Sequence, residues 1–290
     1  MNKHYSILHI SDLHKGENND FDHLFASLCN DADSYDQDIP KPEFIVVCGD
    51  LAEGANGEDA EEKIVKQYQE VESFLDKLVR HFLNGDKSRI IIVPGNHDLY
   101  RGATIRSMEA IPDDIRESAK ERYLKGDPQY RWSWKDFCFY LINKEEEYAS
   151  RFKFFVEFYN RFYEGIRTID DCDMLNKIID FPEYNIAFAT FNSCYRIDHL
   201  NQIGAINSKA IAESQSELSK VFKYGRFIVG VWHHNISGIP TQTNYLDPRV
   251  LHSLMDFHIQ LGLYGHQHHT EALYEYHDCL LYTSDTADDL

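Results

Sequence analysis

Asp12 and His14 stand two residues apart, Asp50 follows a glycine, and Asn96, His97 and Asp98 run together; further on come His233 beside His234, then His266 and His268 two apart. Carboxylate, imidazole and amide groups are metal ligands, and this mixture suits manganese, iron or zinc better than magnesium or calcium. Residues at i and i+2 of an extended segment point to one side, so the spacing predicts that Asp12 and His14 share a metal, as do His266 and His268. Asp12, His14, Asp50, Asn96, His233, His266 and His268 are too many ligands for one tetrahedral ion. They fit two divalent ions about 4 Å apart with a shared carboxylate. The chemistry expected is that of a binuclear metal centre.

Such a centre needs elements that bring distant residues together. Short apolar runs at 5–10, 44–48, 90–93, 227–232 and 262–265 each lead into one of these blocks, and another lies at 186–191. Partly β-branched and bounded by Gly, Pro, Asp or Asn, they read as buried strands. Between the second and third, Ile64, Val65, Tyr68, Val71, Phe74, Leu75, Leu78, Val79 and Phe82 recur at helical spacing, and Phe21, Leu24, Phe25 and Leu28 mark an earlier helix. Strands alternating with helices predict an α/β fold, in which ligands gather at the carboxyl ends of the strands. Glycines before Asp50, Asn96 and His266 permit tight turns there. Residues 99–180 break the rhythm; charged and aromatic, with Trp132, Trp134 and the run at 151–163, they show helical spacing and no clear strand. They read as a helical insertion capping a domain that covers 1–278.

The chain has 290 residues, and 29 Lys and Arg against 48 Asp and Glu give a net charge of −19. That balance disfavours sequence-blind binding to nucleic acid, which draws its affinity from Lys and Arg. No apolar run reaches the roughly 20 residues of a membrane span, and the start lacks the pattern of a signal peptide, so a soluble, cytoplasmic protein is expected. Six scattered cysteines with no C-x-x-C pair make a zinc knuckle or a disulfide framework improbable. Residues 279–290 have two readings: a closing strand with an acidic tail, or the artefactual end of a truncated chain whose missing C-terminal domain or protein partner would matter.

The ordered blocks D-x-H, G-D, G-N-H-D, H-H and G-H-x-H resemble those of the calcineurin-like metallophosphoesterase superfamily, over residues 5–270. The resemblance implies a four-layer sandwich, two mixed sheets flanked by helices, and hydrolysis of a phosphodiester or phosphomonoester by a metal-bridging hydroxide. It implies Asp12, His14 and His268 as ligands of one metal, Asn96, His233 and His266 of the other, and Asp50 as the bridge. His97 is similar to the family's histidine that contacts the scissile phosphate, and Asp98 matches a position beside it. Two divalent ions outweigh the charge of Asp12, Asp50 and a hydroxide by about one, which attracts a phosphoester even to an acidic molecule. His97 is expected to point away from the metals and either protonate the leaving group or stabilise the phosphorane-like charge.

Of the 15 histidines, His4, His9, His23, His81, His199, His252, His258, His269 and His277 read as surface or core residues, and His234 as a neighbour of the ligand His233. Trp132 and Trp134 read as packing anchors, and Cys194 lacks a base that would make it a nucleophile. Two rival functions stand beside the phosphoesterase: a nuclease of the same superfamily, and a non-catalytic metal-binding scaffold.

Overall fold

The computed structural model describes residues 4–16, 20–35, 39–236, 244–267, 271–275 and 279–283. The first apolar runs form β1 (Ser6–Ile10), β2 (Pro42–Cys48) and β3 (Ile90–Val93), joined by α1 (Phe21–Asp33) and α2 (Ala60–Leu83). The three strands pair in parallel in the order β1-β2-β3. Parallel neighbours need a long crossover, and the two helices supply it. Asp20 caps α1, accepting from the amides of Asp22 and His23. On α2, Ile64, Tyr68, Val71, Leu75, Leu78 and Phe82 are buried at three- and four-residue steps, whereas Val65 falls on the outer face, 39% exposed.

The stretch 99–180 differs from the expectation. It holds α3 (Arg101–Arg106), β4 (Met108–Ala110), α4 (Arg116–Leu124), β5 (Tyr130–Ser133), β6 (Cys138–Ile142), α5 (Glu145–Ala149) and α6 (Lys153–Tyr163). The strands form an antiparallel sheet of order β4-β6-β5, so the insertion is mixed rather than helical. Nor is the aromatic run a cap. Phe154, Phe155, Phe158, Tyr159, Phe162 and Tyr163 are all buried in the main core, where Phe158 stacks on Tyr68 of α2 with ring centroids 5.1 Å apart. Burying six aromatic side chains is a large apolar contribution, and it makes α6 part of the scaffold.

The rest of the chain gives β7 (Ile178–Phe181), β8 (Ile186–Thr190), α7 (Ser208–Lys223), β9 (Phe227–Val231), α8 (Pro248–Asp256), β10 (Leu261–Tyr264), β11 (Glu271–Glu275) and β12 (Cys279–Thr283). They build a six-stranded mixed sheet of order β11-β12-β10-β9-β8-β7. Within it β8 is buried on both faces: Phe188 joins the core shared with the first sheet, whereas Ala187 and Ala189 face a second core with Leu218 of α7 and Leu254 of α8. Helix, sheet, sheet and helix therefore stack in four layers. The first sheet is wholly parallel among the described residues, so only the second is mixed. Cys279, Leu281 and Thr283 of β12 are buried.

Two buried arginines bind the insertion to the loop after β8. Arg131 Nε donates to Asp198 at 2.6 Å, and Tyr148 donates to the same carboxylate at 3.0 Å. Arg151 Nη2 donates to both oxygens of Asp173 at 2.6 Å and to the Tyr195 carbonyl at 2.7 Å.

Candidate metal centre

The loops that follow β1, β2, β3, β9 and β10 meet at one edge where the two sheets face each other. Backbone bonds continue past the strand ends: the Asp12 amide donates to the Gly49 carbonyl at 3.1 Å and the His14 amide to the Asp50 carbonyl at 2.9 Å. Glycines make the closeness possible. A Cβ on Gly95 would overlap the carboxylate and amide of Asp50, and one on Gly265 would lie 2.6 Å from Asp12 Oδ2.

Asp50 is 1% exposed and lies between two groups of donors. One comprises His14, Asp50 and His97, the other Asp50, His233 and His266, with the ligand atoms of each within 4.8 Å of one another. His14 Nε2 is 3.8 Å and His233 Nε2 3.4 Å from Asp50 Oδ2. His233 Nε2 also lies 3.0 Å from Asn96 Oδ1 and 3.2 Å from His266 Nδ1. Asp12 is 3.8 Å from His14 Nε2, and its oxygens accept the His266 amide at 2.9 and 3.2 Å. Six of the seven expected ligands thus converge; His268 lies outside the described residues.

Asp12 and His14 share a side for a different reason than the spacing predicted. They do not sit on an extended segment: φ is +54° at Asp12, +42° at His14, +52° at Asp50 and +77° at His266. A left-handed backbone at four ligand candidates is local strain gathered at one site.

The buried charges of the cluster are arranged around Asp50. Burial works to raise the Asp50 carboxyl, but the His233 imidazole, with His97 and His14, holds it well below the usual range. Burial likewise works to lower His233, and the Asp50 carboxylate overrides it, pushing His233 up to about 9. Among the described residues Asp50 is ion-paired only with imidazoles, so the positive charge beside it comes from protons. Divalent cations would supply the same charge and compete with those protons. The donor set therefore fits the metals expected of it.

His97 departs from the expectation of a ring directed away from the metals. Its ring lies edge-on to His14 with centroids 4.6 Å apart, and its Nδ1 lies 3.1 Å from the Glu53 carbonyl oxygen. Its amide donates to Asp50 Oδ1 at 2.7 Å. Asp98 is a further correction. Its carboxylate, 3% exposed, is turned into the loops and accepts from the amides of Gly95, Leu51 and Ala52 and from the Tyr68 hydroxyl at 2.9 Å. It fastens the Asp50 loop to the Asn96 loop, so it is a positioning residue. Burial and the Asp50 charge push Asp98 up to about 6, against those N–H donors. Tyr68→Phe removes one donor from a buried carboxylate and should lower stability by about 1–3 kcal/mol. Urea denaturation of the two proteins checks this, and an unchanged midpoint would dismiss the bond as a tie.

Ser193 was visible in the sequence only as the neighbour of Cys194. Its hydroxyl accepts from the amides of His233 at 3.1 Å and His234 at 2.9 Å, fixing the turn that presents His233. His234 Nδ1 lies 2.9 Å from the same hydroxyl, and its ring faces Gly204, where a Cβ would come within 2.7 Å of it. Asn244 Nδ2, 2.7 Å from His266 Nε2, is another partner with no motif to announce it. Burial pushes the Cys194 thiol well above the usual range, which suits an inert core residue.

A profile of the calcineurin-like phosphoesterase family matches residues 5–270. The chain belongs to this family. A DNA polymerase II small subunit of Methanocaldococcus jannaschii is 29% identical over 133 residues, which are 41% of this chain and 21% of that protein. The chain thus matches about a fifth of that relative's length. Among solved structures, a phosphopantetheinyl hydrolase of Mycobacterium tuberculosis has 14% identity and a TM-score of 0.46, over 98% of this chain and 90% of that one. A dimetal phosphatase of Danio rerio has 14% identity and a TM-score of 0.48, over 98% and 88%. At such identities and scores these likenesses say nothing about substrate.

Proposed function

We propose that this phosphoesterase hydrolyses a phosphodiester or phosphomonoester with two divalent ions, manganese, iron or zinc. Asp12, His14 and His268 would hold one ion, Asn96, His233 and His266 the other, with Asp50 between them. The observation that carries the reading is the place of Asp50, whose carboxylate belongs to both donor groups. Ions bound there supply an activated water and neutralise the phosphate oxygens. The protein's own residues do the rest. Ser193 holds the His233 backbone amide, and the Cys48 carbonyl, 2.7 Å from His233 Nδ1, orients the ring. The Glu53 carbonyl accepts the Nδ1–H of His97, leaving Nε2 to give a proton to the departing alkoxide.

The experiment is metal content with turnover. Protein grown with manganese should carry close to two ions per chain and melt at a higher temperature with added Mn²⁺, because only the folded state binds. It should then cleave bis-p-nitrophenyl phosphate or p-nitrophenyl phosphate. A metal content near zero with no thermal shift defeats the reading, and full occupancy without turnover on any ester makes the protein a scaffold. The short match to a DNA polymerase subunit is what favours the second reading, action on DNA. The net charge of −19 opposes it. Among the described residues no helix is long and apolar enough to cross a membrane.

A further inference from the structure

Tyr130, Trp132 and Trp134 alternate along one face of the β5 segment, since side chains two apart on a strand share a face. Arg131 and Ser133, between them, are buried. Trp132 leans on Phe139 with ring centroids 4.6 Å apart, but Trp134 is 78% exposed, so packing does not account for it. Together with the loop at 196–203 these rings line a cavity of about 360 Å³. That is the low end of the range for small-molecule sites, about 300–1,000 Å³.

The cavity is tied to the metal centre from two sides. Its wall residue Ile203 precedes Gly204, the glycine that abuts the His234 ring. Its wall residue His199 has Nδ1 3.0 Å from Thr104 Oγ1 on α3, the helix that starts four residues after His97. Asn201, also in the wall, is three residues from Gly204, a reach of at most about 11 Å. The buried Arg131–Asp198 pair joins β5 to this loop, so the two walls of the cavity are tied to each other.

We propose that this cavity takes the nucleobase of a nucleoside phosphate whose ester lies on the metal cluster. The inference rests on the phosphoesterase reading and names its substrate class. Arg122 and Arg116 lie over the Tyr130 and Trp132 rings, so the exposed Trp134 indole offers the open face for stacking by a planar heterocycle. The exposed Arg196 guanidinium, which makes no ion pair among the described residues, and the Gln202 amide offer hydrogen bonds to the edge of a base, while Asn201 Nδ2 donates to the Arg196 carbonyl at 2.7 Å and shapes the loop. The cavity's volume suits one nucleoside, and the acidic surface disfavours a polynucleotide.

Two measurements test it. Trp232 is fully buried, so the emission that a ligand can quench is that of Trp132 and Trp134. Adenosine, which has no phosphate, should quench the metal-free protein, and Trp134→Ala should weaken that binding about 10-fold. With Mn²⁺, kcat/KM for adenosine 5′-monophosphate should exceed that for ribose 5-phosphate, and Trp134→Ala should shrink the ratio by a similar factor. Equal rates on the two esters with no quenching by adenosine overturn the subsite and leave the phosphoesterase standing. Quenching by adenosine when no ester is cleaved supports the subsite and removes the phosphoesterase reading. Quenching by a thymidine oligonucleotide but not by the mononucleotide overturns it in favour of a strand.

Discussion

Asp50→Asn should empty both metal positions and lower turnover by at least about 10³-fold, equivalent to about 4 kcal/mol of transition-state stabilisation. The amide keeps the size of the side chain and an oxygen to accept the His97 amide, now at 2.7 Å, so the loop has no reason to collapse. What it loses is the negative charge that both donor groups share. Melting of the metal-free variant should fall somewhat at neutral pH, because buried His233 loses the carboxylate that pushes it up to about 9, and the rise with Mn²⁺ should vanish. A variant that still holds two ions per chain would show that Asp50 is not the bridge.

His97→Asn should behave in the opposite way, with metals retained and turnover reduced. A loss of about 10²- to 10⁴-fold is expected for alkyl esters, whose leaving group needs a proton, and much less for nitrophenyl esters. The structure makes the metal count an essential control, because His97 lies within ligand distance of His14 and Asp50. Loss of one ion per chain would make His97 a ligand, and equal slowing of both ester types would remove it from the acid role.

These residues could be found in the sequence because each stands just beyond a run of buried, β-branched residues, and strands such as Ile90–Val93 are apolar on both faces. The long helix was equally plain from its spacing. The insertion's sheet was not, and Tyr130–Ser133 shows why. Its buried face carries Arg131 and Ser133 while its partly open face carries tyrosine and tryptophan, so the usual alternation is inverted. Strands of three to five residues are also too short for periodicity to decide. The role of Asp98 escaped for another reason. Its place beside His97 suggests chemistry, and only the fold shows its carboxylate spent on the amides of Gly95, Leu51 and Ala52.

The positive φ angles at Asp12, His14, Asp50 and His266 bear on how such a protein can change over time. Each holds a side chain where the backbone favours glycine, at a cost of order 1 kcal/mol. Replacement of any one by glycine relieves backbone strain even as it removes a ligand. At His14 and His266 drift away from catalysis thus meets less resistance from folding, whereas at Asp12 and Asp50 the part-buried amides of His266 and His97 would lose their acceptors, so there the architecture itself defends the chemistry.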